Sequence, residues 1–163
     1  MRSTLSDDIG TIRDELPGFF ADLAKRSSEI VKEEVVDRTP HGEVLDQETG
    51  RYLGPSDKLR NSIREIPPRE EGDTWIAGAE TDSHIAGYVE KGTRPHPIPL
   101  PGTRKVLRFW KPKGVELVYT YSVKHPGTLG KHMFARGLVA AEPRILAYGN
   151  ERLDVIFRTA SRP

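Results

Sequence analysis

The sequence predicts an α+β fold: a small antiparallel sheet with a β-hairpin, packed by a long N-terminal helix and a C-terminal helix, with long loops between them. Three observations carry this. Apolar residues recur at helical spacing through residues 5–39 and again through 131–156, while residues 105–123 read as strand, turn and strand. The stretch 84–128 organises the rest, because two Gly-Thr turns, Gly92-Thr93 and Gly127-Thr128, bracket a Pro-rich arm and that hairpin.

A chain of 163 residues suits one domain, 1–163, and 36% apolar content with 7% aromatics gives it a modest core. Thirteen prolines and fifteen glycines beside 30% charged residues point to long irregular loops. No apolar run approaches the roughly 20 residues of a membrane span, so a soluble protein made in the cytosol is expected, with no membrane partner. The sequence has no cysteine, which excludes disulfides, Cys-ligated zinc and thiol catalysis together.

Taken in order, Leu5, Ile9, Ile12 and Leu16 are spaced for a short helix that Pro17-Gly18 interrupts. A longer helix starts near Pro17, where a first-turn proline is tolerated, and Phe20, Leu23, Ser27, Ile30, Val31 and Val35 line one face until Thr39-Pro40 ends it. About twenty residues at 1.5 Å each make a rod of roughly 30 Å. Its stripe serves either the core or another subunit, since so lean a chain can complete its core by oligomerising.

His41 to Asp57, with Gly42, Gly50, Gly54 and Pro55 among polar residues, reads as a long loop (41–57). Leu59-Arg-Asn-Ser-Ile63 reads as a helical turn or strand start capped by Ser56 or Asp57. Pro67-Pro68 and Arg69-Glu-Glu-Gly72 read as a turn, and Thr74 to Ala79 as a strand with Trp75, Ala77 and Ala79 on one side.

Ile85 to Val89 is too short for periodicity to decide, and Glu90-Lys-Gly-Thr93 closes it with a turn. Alternating prolines from Arg94 to Pro101 prevent helix and sheet-centre pairing, so residues 94–104 form an extended, polyproline-like arm suited to lie on a neighbour. The hairpin pairs Lys105 to Lys111 with Val115 to Val123 across Lys111-Pro-Lys-Gly114; Val115, Leu117, Tyr119, Tyr121 and Val123 share its inward face. Lys131 to Ala141 is helical with Phe134 and Leu138 on one face. Pro143 starts or kinks a second piece carrying Ile145, Leu146, Leu153 and Ile156, and the tail 158–163 frays.

Little in this pattern suggests chemistry. Of the five histidines, His41, His84, His96, His125 and His132, none has a partner at metal-ligand spacing, and His125 before Pro126 is expected to fix a turn by hydrogen bonding. Glu90 has no nucleophile or second carboxylate beside it, and Gly127-Thr-Leu-Gly130-Lys131 lacks the Lys-Ser/Thr pair of a phosphate loop. No catalytic residue, cofactor or metal is assigned, and the protein is not expected to be an enzyme.

Several landmarks occur together in one family: Thr39-Pro40, Thr49-Gly50, Leu59-Arg-Asn-Ser-Ile63, Tyr88-Val-Glu-Lys-Gly-Thr93, Leu107-Arg-Phe-Trp110, and His125-Pro-Gly-Thr128 followed by Phe134 and a C-terminal helix. By these the chain resembles, over about residues 17–157, the gene-product-ten-like family of small neck and minor tail proteins of long-tailed bacteriophages. It departs from the family pattern where Arg51 to Lys58 intervene between Thr49-Gly50 and the Leu-x-x-Ser-Ile element.

The resemblance implies a virion protein of the head–tail neck or tail top, assembled in the host bacterial cytoplasm as a homo-oligomeric ring around the DNA channel. Its partners would be copies of itself, the neighbouring head-completion or connector proteins, and the tail-terminator or tail-tube proteins. The expected subunit or partner contacts are Tyr88, Glu90, Arg94, Pro95, His96, Pro97, Pro99 and Trp110. Residues 1–50 carry twelve acids against six bases, 51–90 eight against five and 91–163 four against fourteen, so a net charge of +1 hides an acidic first half and a basic second half. A ring of heterologous contacts needs two complementary patches per copy, which these halves can supply. A ring lining DNA would turn some of Arg104, Lys105, Arg108, Lys111 and Lys113 inward, touching packaged double-stranded DNA through phosphate alone. The alternative is a nucleic-acid-binding module that uses this basic hairpin with Phe109, Trp110, Tyr119 and Tyr121.

Overall fold

The computed structural model describes residues 5–45, 52–98, 106–110 and 117–160. In chain order the elements are α1 (Leu5–Arg38), β1 (Gly42–Leu45), β2 (Tyr52–Ser56), α2 (Lys58–Asn61), β3 (Ile63–Glu71), β4 (Thr74–Thr81) and α3 (Ala86–Lys91). They continue with β5 (Gly92–Thr93), β6 (His96–Ile98), β7 (Leu107–Trp110), β8 (Leu117–Thr120), β9 (Val123–His125), β10 (Thr128–Leu129) and α4 (Met133–Ala160). The class is α+β, with long N- and C-terminal helices and small antiparallel sheets. The strands fall into five two-stranded ladders among the described residues, and the chain divides into two compact units.

The helix unit comprises residues 1–38, 63–81 and 133–163. Here α1 and α4 pack antiparallel: Val35 meets Gly137, Glu34 meets Arg144, and Asp22 meets Tyr148 and Arg152. A β-carbon on Gly137 would sit 2.6 Å from Val35 Cγ2, so the two helix backbones approach as closely as a missing side chain permits. The β3–β4 hairpin packs on α1, and Ile30, Val31, Val35, Ile63 and Ala141 form its core, with Ala79, Phe134 and Ile145 packed against them.

Four expectations change here. The first helix is continuous through Pro17, and no new helix starts at Pro143, which lies inside the last. A proline inside a helix costs about 3 kcal/mol, which apolar packing on both flanks offsets: Leu16 is half-buried and Phe19 buried beside the first, Ala141 buried and Ile145 half-buried beside the second. Of the face expected on α1, Ile30, Val31 and Val35 are buried as predicted, but Phe19, Ala24 and Ser28 are buried with them and Phe20 is exposed. The buried stripe of α4 runs through Met133, Gly137, Ala141, Gly149, Ile156 and Ala160, leaving Leu138 and Leu146 exposed. Close helix approach selects small residues at the seam, where a reading by size alone favours large ones.

The third change is at Pro67-Pro68, which lie inside β3 where the register shifts between Ile66 and Arg69; the turn is Gly72-Asp73. Prolines lack the amide a ladder needs, and a bulge is where a strand tolerates them. Ser28, wholly buried, closes that irregularity by donating to Ile66 O (2.8 Å) and accepting from Gly78 N (3.0 Å). Last, α4 continues past Arg158 to a buried Ala160 instead of fraying there; residues 161–163 lie outside the described set.

The helices are also tied by charge. Arg144 donates to Glu34 at 2.6 Å and Glu33 at 2.7 Å, and the Arg144 hydrogen bond, with help from Arg38, holds the Glu34 carboxyl below the usual range. Tyr148 donates to Asp22 at 2.6 Å, which raises its phenol above its ordinary value. Among the described residues no helix is long and apolar enough to cross a membrane.

The second unit, residues 39–62 and 82–132, consists of ladders with α2 and α3. The region expected as a loop over 41–57 instead pairs β1 with β2, from Gly42↔Ser56 to Leu45↔Tyr52; residues 46–51, which include Thr49-Gly50, lie outside the described set. Asp57 stands at the start of α2 as expected but does not cap it by side chain; its carboxylate accepts from His41 Nδ1 at 2.6 Å. The predicted hairpin is present as β7–β8, from Leu107↔Thr120 to Trp110↔Leu117, while its expected turn at 111–114 lies outside the described residues.

Candidate functional site

The two Gly-Thr turns that frame the middle of the sequence meet each other. Gly92-Thr93 pairs antiparallel with Thr128-Leu129, and the Thr93 and Thr128 hydroxyls lie 3.1 Å apart. Gly92 has φ 76 and ψ −176, a conformation essentially confined to glycine. A β-carbon there would stand 2.2 Å from Thr128 O, one on Gly127 2.3 Å from Thr93 O, and one on Gly130 2.5 Å from Glu90 O. Lys131 N donates to Val89 O at 2.7 Å and His132 N to Glu90 O at 3.1 Å, completing a clasp made almost wholly of backbone.

The Pro-rich arm continues from this clasp. The part expected to stay unpaired is corrected at His96–Ile98, which pairs with Val123–His125; Pro97 sits opposite Lys124 in a two-stranded ladder, where an edge position needs no amide. The His96 and His125 rings stack at 5.1 Å. His96 Nδ1 donates to Arg94 O, while His125 Nδ1 accepts from Gly127 N at 3.0 Å and so fixes the turn as the sequence suggested.

The expected contact residues gather only in part. Tyr88 is exposed on α3, and Arg94, Pro95, His96 and Pro97 are exposed on and before β6. Glu90 is half-buried, its carbonyl engaged in the clasp. Trp110 places its backbone in β7; its side chain, like all of Pro99, falls outside the described set. Of the basic residues expected to face DNA, Arg108 is exposed on β7, and Arg104, Lys105, Lys111 and Lys113 lie outside the described residues.

One expectation about this surface is overturned. Tyr119 and Tyr121 were assigned to an inward face with Leu117, but they are 61% and 77% exposed. The strand ends at Thr120 and bends at Tyr121, and among the described residues β8 pairs only with β7. Tyr119 lies directly across the ladder from the exposed Arg108. Sequence reasoning also missed Leu129, 90% exposed beside the clasp glycines; its position straight after a Gly-Thr turn was the available signal.

No group of three or more His, Asp or Glu side chains among the described residues is placed to hold a metal ion. A groove on the helix unit is lined by Glu29, Glu33, Asp37 and Glu65 with Lys32 and Arg144, but both cations are already bonded to carboxylates in its wall. Comparison with protein-family models, with curated proteins and with solved structures found no match for the chain.

Proposed function

We propose that the protein is a structural component of a long-tailed bacteriophage virion, forming a ring in the head–tail neck or at the top of the tail and joining head to tail around the DNA channel. Its neighbours there are copies of itself, head-completion or connector proteins and tail-terminator or tail-tube proteins. The observation that supports this best is the strand unit itself. Its described ladders are two strands wide; Tyr88 and Leu129 stand exposed beside a crossing locked by Gly92, Gly127 and Gly130, and Ile98, Tyr119 and Tyr121 stand exposed on or beside the other ladders. Isolated two-stranded ladders are marginal in water, and exposed apolar side chains on a rigid frame suit assembly with further protein. The motif order described above supports the neck as the place of that assembly.

Deleting the gene from a phage that carries it should leave filled heads and separate tails, with particle formation restored by the protein in trans. Joined, infectious particles from the deletion would end this reading.

A second reading draws on Tyr119 across from Arg108 and on the exposed Lys124: aromatics beside cations suit single-stranded nucleic acid. Its test is titration of the free protein with labelled DNA across a salt series. Tight binding that falls steeply with salt favours it over assembly.

A further inference from the structure

Resting on the ring reading, the charge and apolar surfaces of the two units identify which parts of neighbouring copies meet. The antiparallel pairing of α1 with α4, fixed by the Asp22–Arg152 and Leu23–Gly149 contacts, brings the first half of α1 beside the last turns of α4. Exposed there are Ile9 and Phe20 on α1 and Val155 and Phe157 on α4. The charges around them are mainly negative: Asp7, Asp8, Asp14, Glu15, Glu151 and Asp154 against Arg13 and Arg158, with Arg13 already bound to Asp14 and Asp22 satisfied by Arg152 and Tyr148.

The strand unit has the opposite character. Across its described residues from Tyr88 to Lys131 the bases are Lys91, Arg94, Arg108, Lys124 and Lys131, and Glu90 is the single acid. Its exposed apolar residues are the clasp-mounted Tyr88 and Leu129 and the ladder-mounted Ile98, Tyr119 and Tyr121. The exposed apolar residues of the first unit thus stand among acids, and those of the second among bases. Complementary charge of this kind fixes partner and register, while the apolar centre supplies the affinity.

We infer that the acidic tip formed by α1 and α4 of one copy docks on the basic strand unit of the next, a head-to-tail contact between two copies of this chain. Such a heterologous contact repeats from copy to copy and closes into a ring when its rotation permits. The two surfaces differ, so no copy satisfies its own contact by pairing face to face.

Charge reversal on the full chain tests this. A tip variant, Glu15→Lys with Glu151→Lys and Asp154→Lys, makes both surfaces basic; a strand variant, Lys91→Glu with Arg108→Glu and Lys124→Glu, makes both acidic. With folding checked by circular dichroism and size by light scattering at low salt, the wild type is expected to assemble. Each variant alone should assemble at least about tenfold more weakly, and an equimolar mixture should reassemble, because every tip again meets an opposite charge. The chain carrying all six reversals should recover assembly by itself.

Undiminished assembly of either variant, or no recovery on mixing, overturns this contact while leaving the ring to another pair of surfaces. A wild-type chain that stays monomeric to its solubility limit overturns it also, and the deletion phage then judges the ring reading separately. A strand variant that loses DNA retention while still assembling assigns the basic surface to nucleic acid and overturns it.

Discussion

The helix unit holds its elements together through side chains, whereas the strand unit holds its own through backbone. In the first, Ser28 bonds to both strands of a hairpin, Arg144 and Tyr148 reach from α4 to α1, and Val35 fills the space left by Gly137. In the second, the crossing of Gly92-Thr93 with Thr128-Leu129 is closed by amides and by glycines that admit no β-carbon. The difference has a consequence for function. A unit locked by its backbone keeps its large side chains free, and Leu129, Tyr119 and Tyr121 are therefore available to another molecule.

Substitutions that strike one kind of lock and spare the other sharpen this contrast. The largest effect is expected from Gly92→Ala, which places a β-carbon in Thr128 O and forces an alanine into a glycine-only conformation. A loss of about 3 kcal/mol in the strand unit should follow. Hydrogen exchange would show amides of residues 86–98 and 117–132 losing protection while α1 and α4 keep theirs; equal loss in both would break the distinction between the units.

Next comes Ser28→Ala, which strands the half-buried Gly78 N–H and Ile66 carbonyl together. It should lower the stability of the helix unit by about 2 kcal/mol, visible as an earlier urea midpoint for helical circular dichroism. Smaller again is Arg144→Ala, expected to cost about 1 kcal/mol because its ion pairs are partly exposed. Its clearer signature is pH dependence. A carboxyl held low when folded contributes stability fully present above its unfolded value of 4.5, and lost as pH falls below that toward the folded value. Wild type should therefore lose stability on acidification through that window more steeply than Arg144→Ala. The smallest effect is that of Thr93→Val, which removes one exposed cross-strand hydroxyl pair, worth roughly 0.5 kcal/mol, and should leave the clasp's amide protection intact.

Much of the helix unit was legible in the sequence because periodicity reports helices directly: α1 ends at Arg38, before the predicted stop at Thr39-Pro40, and α4 covers both predicted pieces. The exact buried stripe was not, since Gly137 and Gly149 are buried by the closeness of α1 and Ser28 by the β3–β4 hairpin, which no single helix encodes. In the strand unit the β7–β8 pairing was readable from alternation, but alternation carries no information on whether a second layer covers either face. That is why Tyr119 and Tyr121 were placed inward. The doubled Gly-Thr was visible as two turns; that they pair is a long-range fact, linking residues thirty-five apart.

That crossing also makes the intervening polypeptide a closed lobe, entered at Thr93 and left at Thr128 through the same doorway. Because closure entropy grows slowly, doubling the length of such a loop costs only about 0.6 kcal/mol. The lobe is thus set apart by its doorway: Gly92-Thr93 and Thr128-Leu129 hold its two ends together, whatever the length of chain between them.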